Sequence, residues 1–296
     1  MKEVKRMNRF KAAKKASILG IIGNIFLLII KGIIGFITNS QAMIADAFNS
    51  AGDIFSSLMT FIGNKVASKP SDDDHNLGHG KAEYIYSMLI SIAMILMSLK
   101  IFQDSFNSLI HHHKIEFSIW LVVVCLITII VKLLLFLYTN GVYKKHNNLL
   151  IKANSNDHRN DCIITFFNLI SCLLILKDIY YFDGIVGIGI SIWIIATSIK
   201  IFIESYDVLM DKSISNNTKQ QVLDLVKNYK DVIKISHFNS TPVGYQYQIS
   251  FTIFVDGNLS TFDSHEIADN LERKITNKIP EIYLTVIHVN PIEIEK

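Results

Sequence analysis

Six long apolar stretches fill the first two-thirds of the chain, and nothing else in the sequence restricts its fold as much. They run from about Ser17 to Ile37, Gln41 to Val66, Ala82 to Leu109, Phe117 to Tyr138, Ala153 to Leu176 and Gly184 to Ile203. Each reaches the roughly 20 residues a helix needs to cross about 30 Å of hydrocarbon. Backbone polar groups in lipid must be satisfied internally, so segments of this length read as helices. Composition alone does not decide this, because 50% hydrophobic residues is ordinary for a globular protein. The distribution decides it. From about Asp211 the apolar runs stop, charge rises and shorter periodic patterns begin.

The tail reads as a separate, water-facing unit. Thr218 to Lys230 has helical spacing through Val222, Leu225 and Val226. Val232 to Asn239 and Tyr245 to Val255 read as strands, the second alternating Tyr247, Ile249, Phe251 and Ile253. Ser260 to Lys278 is a second helix with Ile267, Leu271 and Ile275 on one face, and Ile282 to Val289 is a last strand. The predicted fold is a membrane bundle of six transmembrane helices (residues 1–210), followed by a small α+β domain (residues 211–296) of ferredoxin-like α-β-β-α-β order. A domain of about 80 residues is marginal alone and gains stability by pairing with a second copy.

Basic residues predict the orientation. Lys2, Lys5, Arg6, Arg9, Lys11, Lys14 and Lys15 lead into the first span as an amphipathic segment, with no cleavage site after it. The loops after spans 2 and 4 and the tail hold lysine or arginine; the loop after span 1 holds none. The loops after spans 3 and 5 hold only Lys114 and Lys177. The positive-inside rule then puts both termini in the cytoplasm of an integral, multi-pass membrane protein. Cys125, Cys162 and Cys172 lie in or near spans without CxxC spacing and read as small apolar residues. The net charge of +3 says little about a nucleic-acid partner, and none is expected, since topology already explains the basic residues at membrane edges.

Two spans carry polar motifs that hydrocarbon does not tolerate without a reason. Span 2 holds Asp46-Ala47-Phe48-Asn49-Ser50-Ala51-Gly52-Asp53, and span 5 opens with Asn154-Ser155-Asn156-Asp157-His158-Arg159-Asn160-Asp161. In each, two oxygen-bearing side chains stand four residues apart, Asn49 with Asp53 and Asp157 with Asp161, and so share a helix face. Intramembrane acids usually face a cavity and mark an ion path. Facing pairs would offer a cation three carboxylates and one amide oxygen, a donor set suited to hard divalent ions. No phosphate loop, nucleotide fingerprint or nucleophile-base-acid set occurs, which argues against an enzyme, ATP-driven pumping and a bound cofactor.

The motifs together resemble the cation diffusion facilitators. The resemblance rests on the two paired motifs, on His75-Asn76-Leu77-Gly78-His79-Gly80-Lys81-Ala82-Glu83 and on the α-β-β-α-β tail, and covers nearly the whole chain. It implies a Y-shaped homodimer in the bilayer that exports divalent transition metals from the cytoplasm in exchange for protons. By position, Asn49, Asp53, Asp157 and Asp161 are the implied transport site. The family's zinc members carry histidine at one or two of these places. An all-oxygen set suits manganese better than zinc and is similar to the manganese-exporting branch, so Mn²⁺ is the expected cargo. Zn²⁺, Fe²⁺, Co²⁺ or Cd²⁺ is the alternative, and a membrane-anchored metal sensor without transport is the alternative of another class.

The resemblance also implies a loop metal site at Asp72, His75 and His79, in which Asp73 and Asp74 compete for the carboxylate role. It implies an ion pair between Lys81 and Asp211. In the tail, His237, His265 and His288 match a binuclear metal site of zinc-type members. Phe251 and Asn290 stand where that pattern has a histidine and an aspartate, so the tail site is expected to be degenerate.

Overall fold

The structure is a computed structural model that describes the backbone of residues 2–37, 41–111, 119–175 and 181–292. The side chains of residues 2–6, 41–46, 48, 49, 108, 111, 171–173, 175 and 181–183 lie outside the description. Six long helices come first: α1 (Lys2–Ile37), α2 (Gln41–Ala67), α3 (Ala82–His111), α4 (Ile119–His146), α5 (Leu149–Ile175) and α6 (Tyr181–Leu209). Four of them, α1, α3, α4 and α6, are long and apolar enough to cross a membrane by composition alone. The other two, α2 and α5, are the pair that carries the polar motifs.

The polar helices pack inside the bundle. Helix α5 lies against α1, α2, α3 and α4, and α2 lies against α1, α3 and α5. Along α2 the buried positions among the described residues are Ala47, Ser50, Asp53, Ser56, Ser57, Thr60, Gly63, Asn64 and Ala67. They recur every three or four residues and so form one face. Phe55 and Leu58 of the same helix are exposed. This helix is polar inward and apolar outward, an arrangement that hydrocarbon favours and water does not. Interhelical hydrogen bonds take the place of the hydrophobic effect, which cannot drive helices together in lipid. Asn24 of α1, for instance, donates to the Asp53 carbonyl (3.0 Å) and to Ser57 Oγ (3.2 Å).

One end of the bundle is fastened by a buried ion pair. Arg9 of α1 grips Glu83 of α3 with both Nη atoms at 2.7 Å. Glu83 Oε1 also accepts from the Leu149 amide (2.7 Å), and Arg9 Nε donates to the His146 carbonyl (3.1 Å). A bidentate pair of this kind matches the charges it buries. The stretch it clamps departs from expectation. The sequence reading makes Asn140–Lys152 a loop, whereas α4 runs to His146 and α5 begins at Leu149. Two asparagines make the break. Asn147 adopts a left-handed φ of 48°, and Asn148 Oδ1 accepts from the Ile151 amide (3.1 Å), which caps α5.

A second compact unit comprises Pro70–Lys81 together with Asp207–Lys296. It contains α7 (Asn216–Lys227), β1 (Lys234–Val243), β2 (Gln246–Asp256), α8 (Thr261–Lys278) and β3 (Ile282–Ile292). Ser215 and Ser260 cap the two helices, each accepting a backbone N–H at 3.1 Å. The strand order is β1-β2-β3, with β1 antiparallel and β3 parallel to the central β2. The parallel pair requires a crossover, and α8 supplies it. Ile249, Phe251, Ile253 and Val255 alternate along β2 into a core with Val222, Val226, Ile267, Leu271 and Ile275. The α-β-β-α-β order read from the sequence is the observed one.

The loop before α3 is built onto this unit by close backbone contact. A Cβ on Gly80 would lie 2.9 Å from the Gly244 Cα, and Gly244, at the β1–β2 turn, has φ +65°. Neither position accepts a side chain without displacing the other.

Leu271 is wholly buried in the tail core. Leu271→Ala is expected to cost this unit roughly 2–5 kcal/mol. Hydrogen exchange of the β2 amides in the full-length protein measures the loss.

Candidate metal site

Four helices contribute to the polar cluster in the bundle. Asp53 of α2 and Asp157 of α5 are buried, and Asp161 of α5 is nearly so. Asp157 accepts a hydrogen bond from Ser56 of α2. Among the described residues, Asp53 Oδ1 and Asp157 Oδ2 are buried without a hydrogen-bond partner. These are spare lone pairs inside the bundle, where an unmatched acceptor is costly.

The surprise is a fourth charge. Lys132, in the middle of α4, is 1% exposed, and its Nζ lies 2.7 Å from Asp53 Oδ2 and 2.6 Å from Asp161 Oδ2. It is positioned by a stripe of buried residues on α4, namely Val124, Cys125, Thr128, Leu135 and Thr139. The ammonium therefore links α2 to α5 through α4. A second buried lysine, Lys31 of α1, lies close enough for its charge to act on Asp161. The sequence analysis considers three carboxylates and one amide oxygen; these lysines add the opposite charge that an isolated carboxylate trio would lack in low dielectric. Both positions had a signal in the sequence: Lys31 and Lys132 are each the lone charge in an otherwise apolar run, which marks a functional residue by default.

His158 is the other residue that the sequence reading passed over. Its ring is fully buried, and neither nitrogen has a hydrogen-bond partner among the described residues. Asp157, His158 and Asp161 can bring one ligand atom each within 4.8 Å of the others. A Cβ on Gly20 of α1 would stand 2.8 Å from Ser57 Oγ and 3.4 Å from His158 Nε2. The bare backbone of Gly20 is what allows α1 to come so close. Asn154 of α5 donates to the same Ser57 Oγ (3.2 Å). The donors near the carboxylates thus include a nitrogen, and the all-oxygen set is not the whole inventory. The side chain of Asn49 lies outside the described residues.

Outside the bundle, the loop before α3 gathers Asp72, His75 and His79, whose ligand atoms all come within 4.8 Å of one another. Asp72 Oδ1 accepts from the His75 amide (2.7 Å) and lies 3.1 Å from His75 Nδ1; Oδ2 lies 3.3 Å from His79 Nε2. Asp73 and Asp74 are not in the group. Lys81 Nζ meets Asp211 Oδ1 at 2.7 Å within one chain. The pair is substantially exposed and contributes little stability. The tail histidines are scattered among the described residues. His237 is exposed on a β1 bulge with φ 52°, His265 is exposed on α8 near Asp269 (3.7 Å), and His288 is exposed on β3. Phe251 faces the core and stacks on Phe238 at 6.2 Å, and Asn290 pairs with Phe254 in the sheet. The His111-His112-His113 triplet and Cys172 lie outside the described side chains.

Comparison with known proteins places this architecture. Residues 17–210 match the cation efflux transmembrane domain, and residues 214–292 match the cytoplasmic domain of cation efflux proteins. The chain belongs to the cation efflux family, the cation diffusion facilitators. Members are multi-pass membrane transporters of metal ions, and their cytoplasmic domain is a dimerisation domain. An uncharacterized transporter of Methanocaldococcus jannaschii is 28% identical over 283 residues, 96% of this chain and all of that one. The magnetosome protein MamB of a Magnetospira species is 26% identical, covering 89% of this chain and 90% of that one. The manganese efflux system protein MneP of Bacillus subtilis is 25% identical, covering 96% of this chain and 97% of that one.

The Asp72 carboxyl titrates below its ordinary value of 3.8. Desolvation is the largest single influence and raises it, but the hydrogen bonds from the His75 amide and ring and the charges of His79 and His75 together lower it by more. A depressed folded value gives stability that is present above the unfolded value and lost as pH falls through the folded one. The loop should therefore stay ordered from neutral pH down through pH 4 and loosen only below that. The NMR shift of the His75 amide, followed on acid titration, checks this.

Proposed function

We propose that this protein is a secondary-active exporter that takes divalent cations from the cytoplasm, Mn²⁺ foremost, in exchange for protons. It works as a homodimer with both termini in the cytoplasm. The observation that carries the reading is the burial of Asp53, Asp157 and Asp161 in one polar cluster between α2 and α5, inside a bundle whose other helices face lipid. Asn49, four residues before Asp53, completes the donor set. Carboxylate and amide oxygens suit Mn²⁺. The resemblance of the whole chain to a manganese efflux protein supports the same cargo.

In the cycle, a hydrated ion enters between α2 and α5 and exchanges part of its water for these oxygens. Rocking of the helices around a fixed site opens it to the far side. Protons then compete for the same carboxylates and release the ion, because ligands must be deprotonated to hold a metal.

A specific observation favours a second cargo. The buried, unpartnered ring of His158 beside Asp157 offers the nitrogen that Zn²⁺ prefers. The Asp72, His75 and His79 group in the loop is proposed as an accessory metal site of mixed nitrogen and oxygen donors, and Lys81–Asp211 as the ion pair that holds the loop against the start of the tail. The scattered His237, His265 and His288 are assigned no metal.

Uptake of Mn²⁺ into inverted vesicles with an imposed pH gradient tests the assignment. Asp53→Ala and Asp161→Ala are each expected to lower the initial rate at least about a hundredfold, whereas wild-type protein alkalises the lumen in step with metal entry, because protons leave as the metal enters. Transport of Mn²⁺ at the normal rate by either variant would reject the site. A wild type that carries Zn²⁺ and ignores Mn²⁺, losing Zn²⁺ transport on His158→Ala, would establish the second cargo.

A further inference from the structure

A cation liganded jointly by Asp53 and Asp161 must stand between the two carboxylates, and Lys132 Nζ already stands there, 2.7 and 2.6 Å from them. Two oxygens that share one ammonium are close enough to share a metal ion. The lysine is wholly enclosed, so it gains nothing from solvent. It comes from α4, which supplies none of the carboxylates.

We propose that Lys132 is a tethered competitor for the cargo: its ammonium occupies the place between Asp53 and Asp161 until a divalent ion displaces it, and it returns to drive that ion out. This rests on the reading of Asp53 and Asp161 as cargo ligands. Three consequences follow from the geometry. Asp53 and Asp161 are never left uncompensated in low dielectric, where an unpaired charge is strongly disfavoured. Metal affinity is set lower than the same carboxylates would give unopposed, which suits a carrier that must let go. Selectivity for charge is built in, because a monovalent ion brings no Coulombic advantage over the ammonium it would replace, while a dication brings about twice the attraction at equal distance. The displaced side chain can withdraw because it is a flexible four-carbon stem carrying a point charge.

The test is Mn²⁺ binding to the purified full-length protein at one fixed pH, read from the paramagnetic resonance signal of free Mn²⁺. Lys132→Met and Lys132→Gln remove the competitor, and Lys132→Arg keeps it. The neutral variants should bind Mn²⁺ about tenfold or more tightly than wild type, and Mn²⁺ should raise their Tm by more than it raises that of wild type. Their vesicle uptake should nonetheless be slower, because release becomes limiting. Lys132→Arg should bind no more tightly than wild type. If Lys132→Met is too unstable to purify, Lys132→Gln, whose amide still donates to one carboxylate, gives the answer. Neutral variants that bind Mn²⁺ at wild-type affinity or weaker overturn the proposal, as does an arginine variant that binds more tightly. Asp161→Asn separates the two layers. If it leaves wild-type binding intact, the cargo site lies elsewhere and both readings fall. If it weakens binding while the lysine variants do not strengthen it, only the competitor is rejected.

Discussion

Charge compensation without water is the constraint on which the membrane unit depends. Asp53, Asp157 and Asp161 cannot stay ionised in hydrocarbon alone, and Lys132 supplies the nearest opposite charge. That requirement explains the order of the helices from inside outward. The two polar helices need polar neighbours, so α1 and α4 bury Asn24 and Lys132 against them, and both bond to α2. The opposite faces of α1 and α4 expose Ile22, Ile29, Ile130 and Leu134, which lipid accepts. The Arg9–Glu83 clamp applies the same rule at one end of the bundle, where a matched pair takes up every charge it buries.

The tail is stabilised by the opposite means. Its core is aliphatic and aromatic, its helices are amphipathic, and its polar groups are at caps and surfaces. Phe251 packs inward on Phe238 as part of that core, and among the described residues His237, His265 and His288 stand on separate strands and a helix.

Much of this was legible because the relevant forces are periodic. The apolar runs fixed the number of long helices, the alternation of Ile249, Phe251 and Ile253 marked the central strand, and the four-residue spacing of Asp157 and Asp161 put both on one side of α5. What stayed hidden depended on contact across helices. Nothing in the local pattern says that Lys132 reaches Asp53, which lies 79 residues away in sequence. The break between α4 and α5 was missed for a different reason. Basic residues suggested a solvated loop, but two asparagines suffice for the turn, one in a left-handed conformation and one as a cap. His158 was overshadowed by the acids on either side of it, and only its complete burial singles it out.

The chain passes between the two compact units three times: near Lys69 and Pro70, near Lys81 and Ala82, and within α6 near Tyr206 and Asp207. The segment between the first two crossings is not a free linker: it belongs to the tail unit and is pinned there glycine to glycine at Gly80 and Gly244. Residues 70–81, remote in sequence from the tail, thus fold as part of it.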